Sequence, residues 1–242
     1  MARMTLVEHL AELRKRLIIC ILAVVIGTFL GFFLYNAVIH FISNPYRQFA
    51  LKHPNQVVAK GQLVVSGPLE GFSTRLKVAG YLGIFFASPI LLWEIWRFIT
   101  PGLHKNERRY AISFVLAALL FFSMGVTVSV LVWPKALDFL IRIGGGNVAA
   151  LYGPAKYVSL YVAAAAIFGV VFLFPVVLVC LEVVGVITSK KLRKVRRPAI
   201  VGIAFLAVVV TPSSDPYSFF AMAVPLYIFY ELAIIVGRIL KK

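Results

Sequence analysis

The sequence predicts an all-α polytopic membrane protein whose six transmembrane helices are kinked and cupped, with both termini on the cytoplasmic side. Hydrophobic residues make up 61% of the 242 residues, charged residues only 14%, and the mean hydropathy is +0.94. This composition lies far from that of soluble domains. Long apolar segments recur along the chain with basic residues at their borders, as in proteins that cross a bilayer several times.

Six segments are predicted to cross the membrane and to form one domain, residues 1–242. A helix needs about 20 apolar residues to cross a hydrocarbon core of about 30 Å. The first segment continues past any plausible cleavage site without an Ala-x-Ala-like end, which indicates a retained span and not a removed signal peptide. The predicted spans cover residues 17–39, 73–99, 110–133, 157–182, 198–212 and 216–237.

The distribution of Lys and Arg predicts the orientation. With six spans, both termini and 17 of the 25 basic residues fall on one side. Basic loops resist translocation, so this side is predicted to be cytoplasmic. The net charge of +16 does not indicate nucleic-acid binding, because the basic residues are dispersed along membrane borders. There they suit the anionic headgroups of a lipid bilayer.

The leader ahead of the first span is predicted to be helical from Thr5, because Thr5 and Glu8 fit a capping box. Its leucines recur every three or four residues, and we expect this stripe to lie on the membrane or on neighbouring helices. The stripe consists of Leu6, Leu10, Leu13 and Leu17.

Glu12 lies on the more polar face of the leader, among basic residues. Its simplest role is an i,i+4 ion pair with Arg16, which contributes about 0.2–0.5 kcal/mol. The alternative is that Glu12 receives a positively charged ligand. Carboxylates at a membrane edge are the most distinctive chemistry of a chain with 9 acidic and 25 basic residues.

A second carboxylate of this kind, Glu107, follows span 2. Pro101-Gly102 ends that span, and Asn106 is a suitable N-cap for span 3, which places Glu107 in the first helical turn. There it complements the helix dipole, typically by 0.3 to about 1 kcal/mol. If the leader and this loop are neighbours, Glu12 and Glu107 offer two carboxylates to two separate cationic side chains.

Prolines and span length predict the shape of the bundle. Pro89, Pro175 and Pro225 fall inside spans 2, 4 and 6, where each removes a helix hydrogen bond and favours a kink. Span 5 has only about 15 residues, or roughly 22 Å of helix, which is shorter than the bilayer core. Either this span thins the bilayer or packs on a partner, or its true boundaries lie a few residues further out.

Five other carboxylates lie near or within spans, where a buried charge is costly and suggests a role. We favour structural roles for them. Glu231 is predicted to make an interhelical hydrogen bond, and Asp215 to cap span 6, with Pro216 at the first helical position. The five are Glu70, Glu94, Glu182, Asp215 and Glu231.

The residues indicate no enzyme, metal site or cofactor. Cys20 and Cys180 lie in apolar spans, where a thiol behaves as a small hydrophobe. The four histidines fall in separate segments without metal-binding spacing. No phosphate-binding loop, no recognisable pairing of nucleophile and base, and no internal repeat occurs.

Taken in order between six spans, several short motifs make the chain resemble the C subunit family of the twin-arginine translocase, TatC. The resemblance runs through nearly the whole chain. The motifs are Glu8-His-Leu-Ala-Glu-Leu-Arg-Lys-Arg-Leu17, Asn44-Pro45, Gly67-Pro-Leu-Glu-Gly-Phe72, Trp93-Glu-Ile-Trp-Arg-Phe-Ile-Thr-Pro101, Lys105-Asn-Glu-Arg-Arg109, Phe172-Leu-Phe-Pro175, Thr211-Pro-Ser-Ser-Asp215 and Tyr230-Glu231.

The resemblance implies a receptor in the bacterial cytoplasmic (inner) membrane that recognises the paired arginines of signal peptides on folded cargo. It also implies partners, namely TatA- and TatB-type single-span proteins along spans 5 and 6 and further copies of the chain in a receptor complex. Export would be driven by the proton gradient. The signal-peptide site implied is Glu12 and Glu107 with Phe98, Arg14 and Arg16. Structural or translocation-related roles are implied for Pro45, Pro68, Glu70, Glu94, Asp215 and Glu231.

Physical chemistry agrees with an arginine receptor. A planar guanidinium places two N–H groups on a carboxylate, which a lysine ammonium does not match. The basic residues of the two motifs could occupy the glutamates themselves, or could hold them in position until a ligand displaces them. Two positions depart from the family pattern: Leu173 stands where many relatives carry Glu or Gln, and Phe219 stands where a Gln often follows the Asp215 motif.

Two other classes of protein compete with the receptor. A proton-coupled secondary transporter needs polar groups near the bilayer midplane, often in broken helices related by repeats. This sequence has neither the repeats nor a central carboxylate pair. An intramembrane enzyme ranks below the transporter, because no nucleophile is paired with a base.

Overall fold

The computed structural model describes residues 6–54, 62–65, 67–99, 111–143, 152–183, 185–211 and 215–240. Within these ranges the chain forms helices and no strands, which confirms the all-α prediction. The helices are α1 (Leu6–Lys52), α2 (Pro68–Ile99), α3 (Ala111–Ile143), α4 (Pro154–Val171), α5 (Phe174–Val183), α6 (Ser189–Lys194), α7 (Arg196–Val210) and α8 (Pro216–Leu240).

Five helical segments are long and apolar enough to cross a membrane, counted over the described part of the chain. They are Leu10–Lys52, Pro68–Phe98, Ile112–Ile143, Pro154–Val183 and Pro216–Ile239. The predicted fifth span corresponds to α7, which has 15 residues and a length of about 22 Å. The short fifth helix predicted from the sequence is therefore present, with bounds within two residues of those expected.

The first helix is much longer than its predicted span. The leader and span 1 form one continuous helix of 47 residues, about 70 Å long. The leucine stripe was expected to lie on the membrane or on neighbouring helices. The second alternative is wrong for the three leucines whose side chains are described, and contact with the membrane stays a prediction. Leu10, Leu13 and Leu17 are 62%, 41% and 54% exposed, because the leader projects along the axis of α1 and does not fold back.

The helix is interrupted near one of the prolines inside the predicted spans and continues through the others. The span that was predicted to kink at Pro175 is interrupted at Phe172–Leu173, between α4 and α5. Pro175 has no N–H to give to the preceding turn, and the Leu173 amide turns to the Val170 carbonyl at 3.0 Å. At Pro89 and Pro225, α2 and α8 continue as helix. The helix α3 likewise continues through Pro134 to Ile143, beyond its predicted end at residue 133.

Two apolar clusters hold the bundle together. One joins α1, α3 and α4 around buried aromatic side chains, Tyr46, Trp133 and Tyr157. The other joins the break between α4 and α5 to α7 and α8, and includes Phe172 and Leu226. Most of the remaining large apolar side chains are exposed, as expected for helices that face lipid.

Candidate ligand site

The site is positioned by the close contact of α1 with α2. A Cβ atom added at Gly27 would lie 2.7 Å from the Gly83 carbonyl oxygen, and one at Gly31 would lie 2.8 Å from that of Ala79. Small residues four positions apart on each helix let two backbones approach in this way. This contact fixes which residues of α1 and α2 meet at the end of the bundle that carries residues 10–20, 90–98 and 231–239, here called the amino-terminal end.

At this end Arg16 lies between two carboxylates. Its Nη2 bonds Glu12 Oε1 within α1, and its Nη1 donates to Glu94 Oε2 on α2 at 3.0 Å. The exposed fractions of the side chains are 12% for Arg16, 20% for Glu12 and 7% for Glu94. The predicted i,i+4 pair is therefore confirmed, and a carboxylate 78 positions away joins it.

The three side chains leave hydrogen-bonding capacity unused. Glu12 Oε2 and Arg16 Nε are buried and have no hydrogen-bond partner in the described structure. These two carboxylates and one guanidinium carry a formal charge of −1, and two further cations, Lys15 and Arg97, line the adjoining cavity. Beside them lies a cavity of about 380 Å³, lined by Ala11, Glu12, Lys15, Arg16, Ile19, Glu94 and Arg97. A buried, unpaired acceptor costs free energy that a cationic donor would recover.

The other residues predicted for the signal-peptide site lie in different places. Phe98 follows Glu94 by four residues on α2, so it lies on the same helix face, one turn nearer the end. Arg14 is exposed and does not line the cavity, whereas its neighbour Lys15 does. Glu107 lies outside the described residues.

Sequence reasoning placed Glu94 among structural residues and did not join it to Glu12. The order of the spans could have predicted this contact. Spans 1 and 2 run in opposite directions, so the start of α1 and the end of α2 meet at the same end of the bundle. The Gly-x-x-x-Gly pattern at Gly27 and Gly31 predicts the close contact that brings them together.

Four other predicted residues lie at the opposite end of the bundle. Pro45 lies inside α1 and lines a polar cavity of about 390 Å³. Pro68 and Glu70 occupy the first turn of α2, and a Cβ atom added at Gly153 would lie 2.5 Å from Glu70 Oε1. Asp215 is buried and accepts a hydrogen bond from the Ser218 amide at 2.8 Å, which confirms the predicted cap of α8.

Two further glutamates lie near the amino-terminal end. Glu231 of α8 accepts a hydrogen bond from Arg196 Nη2 of α7 at 2.5 Å, so the predicted interhelical bond is confirmed. Glu182 of α5 is fully buried, and neither of its oxygens has a hydrogen-bond partner in the described structure. Its carboxylate packs against Gly237 of α8.

The region around Leu173 is apolar. Leu173 lines a cavity of about 540 Å³ between the α4–α5 break, α7 and α8, together with Val170, Val171, Phe174, Val177, Ala199, Gly202, Ile203, Leu206 and Leu226. Phe219 is partly buried and packs against the apolar cluster that joins the α4–α5 break to α7 and α8. Among the residues that the structure describes, no group of three His, Cys, Asp or Glu is placed to hold a metal ion.

Comparison with known proteins supplies the family. Residues 8–225 match the family model for Sec-independent protein translocase protein (TatC). The chain is 36% identical over 239 residues to the Sec-independent protein translocase protein TatC of Carboxydothermus hydrogenoformans, covering 98% of this chain and 94% of that protein. Identity to the TatC of Frankia casuarinae is 34% over 240 residues, and covers 98% of this chain and 66% of that longer protein.

Solved structures agree with this similarity. A crystal structure of a twin-arginine translocase receptor, TatC, aligns with a TM-score of 0.73 and 31% identity, covering 97% of this chain and all of that one. A second, described as TatC in DDM, aligns with a TM-score of 0.74 and 32% identity over 95% of this chain. The chain therefore belongs to the TatC family of Sec-independent protein translocase components, which are multi-pass membrane proteins and not enzymes.

Proposed function

We propose that this chain is the signal-peptide receptor and core subunit of a twin-arginine export system. It binds the paired arginines of signal peptides on folded cargo, and Glu12 is the principal contact in the described structure. The observation that carries the proposal is a carboxylate beside a cavity, with one buried oxygen that has no hydrogen-bond partner. Glu107, outside the described residues, is proposed as the second contact and Phe98 as a neighbour.

The environment of Glu12 suits discrimination between arginine and lysine. Fully exposed ion pairs contribute about 0 to 1 kcal/mol, too little for strong selectivity. Here the Glu12 side chain is only 20% exposed and its partner Arg16 only 12%, so a ligand at this site is partly shielded from water. A guanidinium places two donors on a carboxylate in fixed geometry, whereas an ammonium acts as a point charge.

The proposed setting is the bacterial cytoplasmic membrane, with both termini and the Glu12 cavity on the cytoplasmic side. The basic residues that flank this end support the orientation. Partners of the TatA and TatB type would pack along α7 and α8, and further copies of the chain would join the receptor complex. An exposed apolar face of α7, formed by Val201, Phe205 and Val209, supports such contacts, and translocation would draw on the proton motive force.

Binding of a fluorescent signal peptide to the purified chain tests the receptor proposal. The peptide carries either Arg-Arg or Lys-Lys, and the proteins are wild type, Glu12→Ala and Glu107→Ala. We expect preference for Arg-Arg in wild type, reduced about tenfold or more by either substitution because a charge-assisted pair is lost.

Asp138→Ala provides a matched control, because Asp138 pairs with Arg142 at the opposite end of the bundle. This variant should bind as wild type does. Equal binding of the two peptides to wild type would contradict the receptor function. Small-solute uptake by vesicles that contain the chain would then favour a transporter.

A further inference from the structure

We infer that the polar cavity lined by Lys52, Lys135 and Arg142 binds a phosphate group, supplied by a lipid headgroup or by a soluble phosphate. The cavity lies at the end of the bundle opposite Glu12, and the inference goes beyond the proposed receptor function. Its volume is about 390 Å³, within the range of about 300–1,000 Å³ that is usual for small-ligand sites.

Two helices supply the charged side chains of this cavity. Lys135, Asp138 and Arg142 are spaced three and four residues apart on α3, so they lie on one helix face. The last residue of α1, Lys52, and the next residue, His53, also line the cavity. Charged side chains that are distant in sequence therefore converge on one space.

Arg142 is held from two sides. Its Nε donates to Asp138 Oδ1 at 3.1 Å within α3, and its Nη2 lies 3.1 Å from His53 Nε2. The His53 ring is in turn stacked on Phe49 of α1, with ring centroids 4.7 Å apart. The Arg142 side chain is 55% exposed, and its Nη1 has no hydrogen-bond partner among the described residues. A positioned donor is therefore available to a ligand.

The lining of the cavity carries a net positive charge. A guanidinium only donates hydrogen bonds, so His53 accepts at Nε2 and is neutral in this contact. The lining has three cations, Lys52, Lys135 and Arg142, and one carboxylate, Asp138, which gives a formal charge of +2. Both lysines are exposed, and neither forms an ion pair within the described ranges. The site therefore attracts an anion.

This charge runs against the general distribution of basic residues in the chain. Only eight of the 25 lie on the side predicted to face away from the cytoplasm, where basic residues are disfavoured. Three of these eight line this one cavity. Binding of an anion gives a physical reason for their convergence.

The level of the cavity indicates which anion is within reach. Pro134 and Tyr217 also line it, and they adjoin the predicted borders of spans 3 and 6 at residues 133 and 216. Lipid headgroups lie at this level, where tyrosine is frequent. Phosphate oxygens accept charge-assisted hydrogen bonds from Arg and Lys. A lining charge of +2 favours an anionic headgroup over a zwitterionic one, whose cationic group it repels.

Thermal unfolding of the purified chain in a neutral detergent tests the inference, because a ligand that binds the folded protein raises its Tm. The probes are monomeric dihexanoyl phosphatidylglycerol, dihexanoyl phosphatidylcholine and inorganic phosphate, each titrated at constant ionic strength. We expect a saturable rise in Tm with a phosphate-bearing anion, and a half-saturation concentration at least about tenfold higher with phosphatidylcholine.

The probes also distinguish the two sources of the phosphate group. A response to phosphatidylglycerol alone identifies a lipid headgroup as the ligand. A response to inorganic phosphate, whether alone or in competition with phosphatidylglycerol, identifies a site that also takes soluble phosphate.

The double variant Lys52→Gln with Lys135→Gln is the main test of the site. Both side chains are exposed and unpaired within the described ranges, so folding should not depend on them. The half-saturation concentration should rise about tenfold, roughly threefold for each partly exposed charge pair that is lost. Arg142→Gln should weaken binding at least as much.

Arg47→Gln is the matched control, because it removes one cation from the same end of the bundle. Arg47 lies near His40, with Nη1 3.5 Å from Nδ1, and lines a separate cavity whose described lining holds no other Lys or Arg. This variant should keep the wild-type half-saturation concentration. Half-saturation is compared instead of Tm, so a less stable variant does not imitate weaker binding.

Four results would overturn the inference. They are no saturable rise in Tm of wild type with either anion, equal binding of phosphatidylcholine and phosphatidylglycerol without a response to inorganic phosphate, wild-type half-saturation in the double lysine variant, or an equal loss in Arg47→Gln. The last result would mean that attraction depends on the total charge of this end and not on the cavity.

Discussion

Arg16 Nη1 of α1 lies 3.0 Å from Glu94 Oε2 of α2, and both side chains are largely shielded from water. A pair in such surroundings depends strongly on both members, because removing one leaves a charge without its partner. The contact also links the first helix to the second at the end where the chain begins. The stability of this end therefore depends on one guanidinium, which also contacts Glu12, the carboxylate proposed to receive a ligand.

Arg16→Met should destabilise the protein, because Glu12 and Glu94 then face each other without a counter-charge. Because the carboxylates are only partly shielded from water, we expect the loss of their hydrogen-bond donor to cost about 1–3 kcal/mol. Adding Glu94→Gln should restore part of it, since one of the two unpaired charges is removed. Thermal unfolding in detergent of the two single variants and the double variant measures this coupling, and strictly additive effects would contradict it.

Gly83→Ala should separate α1 from α2. An added Cβ atom would lie 2.7 Å from the Thr28 amide nitrogen and 2.8 Å from the Val24 carbonyl oxygen, and backbone atoms in a helix do not yield easily. We expect a loss of about 1–3 kcal/mol and weaker peptide binding, because the Arg16–Glu94 contact depends on this packing.

Gly80→Ala is the control for that experiment. An added Cβ atom at Gly80 meets nothing within 4 Å, and alanine favours helix over glycine by up to about 1 kcal/mol. This variant should be as stable as wild type or more stable. Equal destabilisation by the two substitutions would show that close backbone packing is not what holds α1 to α2.

Tyr157→Phe should weaken the opposite end of the bundle. The Tyr157 hydroxyl accepts a hydrogen bond from Trp133 Nε1 at 3.1 Å and donates one to the Ile42 carbonyl at 3.0 Å. It thus joins α4 to α3 and α1. Phenylalanine leaves the buried indole N–H without an acceptor, which costs about 1–3 kcal/mol.

Tyr161→Phe provides the comparison for Tyr157. Tyr161 is also buried and stacks edge-on against Trp133, but the described structure gives its hydroxyl no hydrogen bond. Its replacement should change the free energy of unfolding by less than about 0.5 kcal/mol. Similar losses for both tyrosines would mean that ring packing, and not the hydrogen-bonded bridge, is responsible.

Glu182→Leu should stabilise the protein. The Glu182 carboxyl is fully buried without a hydrogen-bond partner in the described structure, and replacing such a group by an apolar one removes its desolvation cost, about 1–3 kcal/mol. Thermal unfolding should show a higher Tm. By contrast, Glu231→Leu breaks the bond to Arg196 and should not raise the Tm. A lower Tm for Glu182→Leu would indicate that the carboxyl has an essential partner.

The position of the Glu182 side chain predicts that substitutions at Glu182 and Gly237 have coupled effects on stability. A Cβ atom added there would overlap the Glu182 carboxylate, so Gly237→Ala should be destabilising in wild type. In a Glu182→Ala background the space is free, and the cost should fall. A double-mutant cycle measures the difference, and equal costs in both backgrounds would place the obstruction elsewhere.

Features set by neighbouring residues were predictable from the sequence. The apolar segments identified the helices, because only an internally hydrogen-bonded helix satisfies its backbone in lipid without forming a closed barrel. The interruption before Pro175, the short α7, the cap at Asp215 and the Glu12–Arg16 pair all depend on residues within a few positions of one another. Helix lengths were less predictable, because α1 and α3 continue at their carboxyl ends into residues that pack in the first apolar cluster, such as Phe49 and Leu137.

Contacts between distant residues were decided by the tertiary structure. The sequence shows Glu94 and Arg16 at borders of two spans, but only the close approach of α1 and α2 makes them partners. The tertiary structure likewise decided the Tyr157 bridge and the burial of Glu182 without a hydrogen-bond partner among the described residues. The sequence by itself determined which segments are helices and where charges border them. Which charges meet depended on small residues that let particular helix backbones touch, and helix periodicity carries no information about the partner helix.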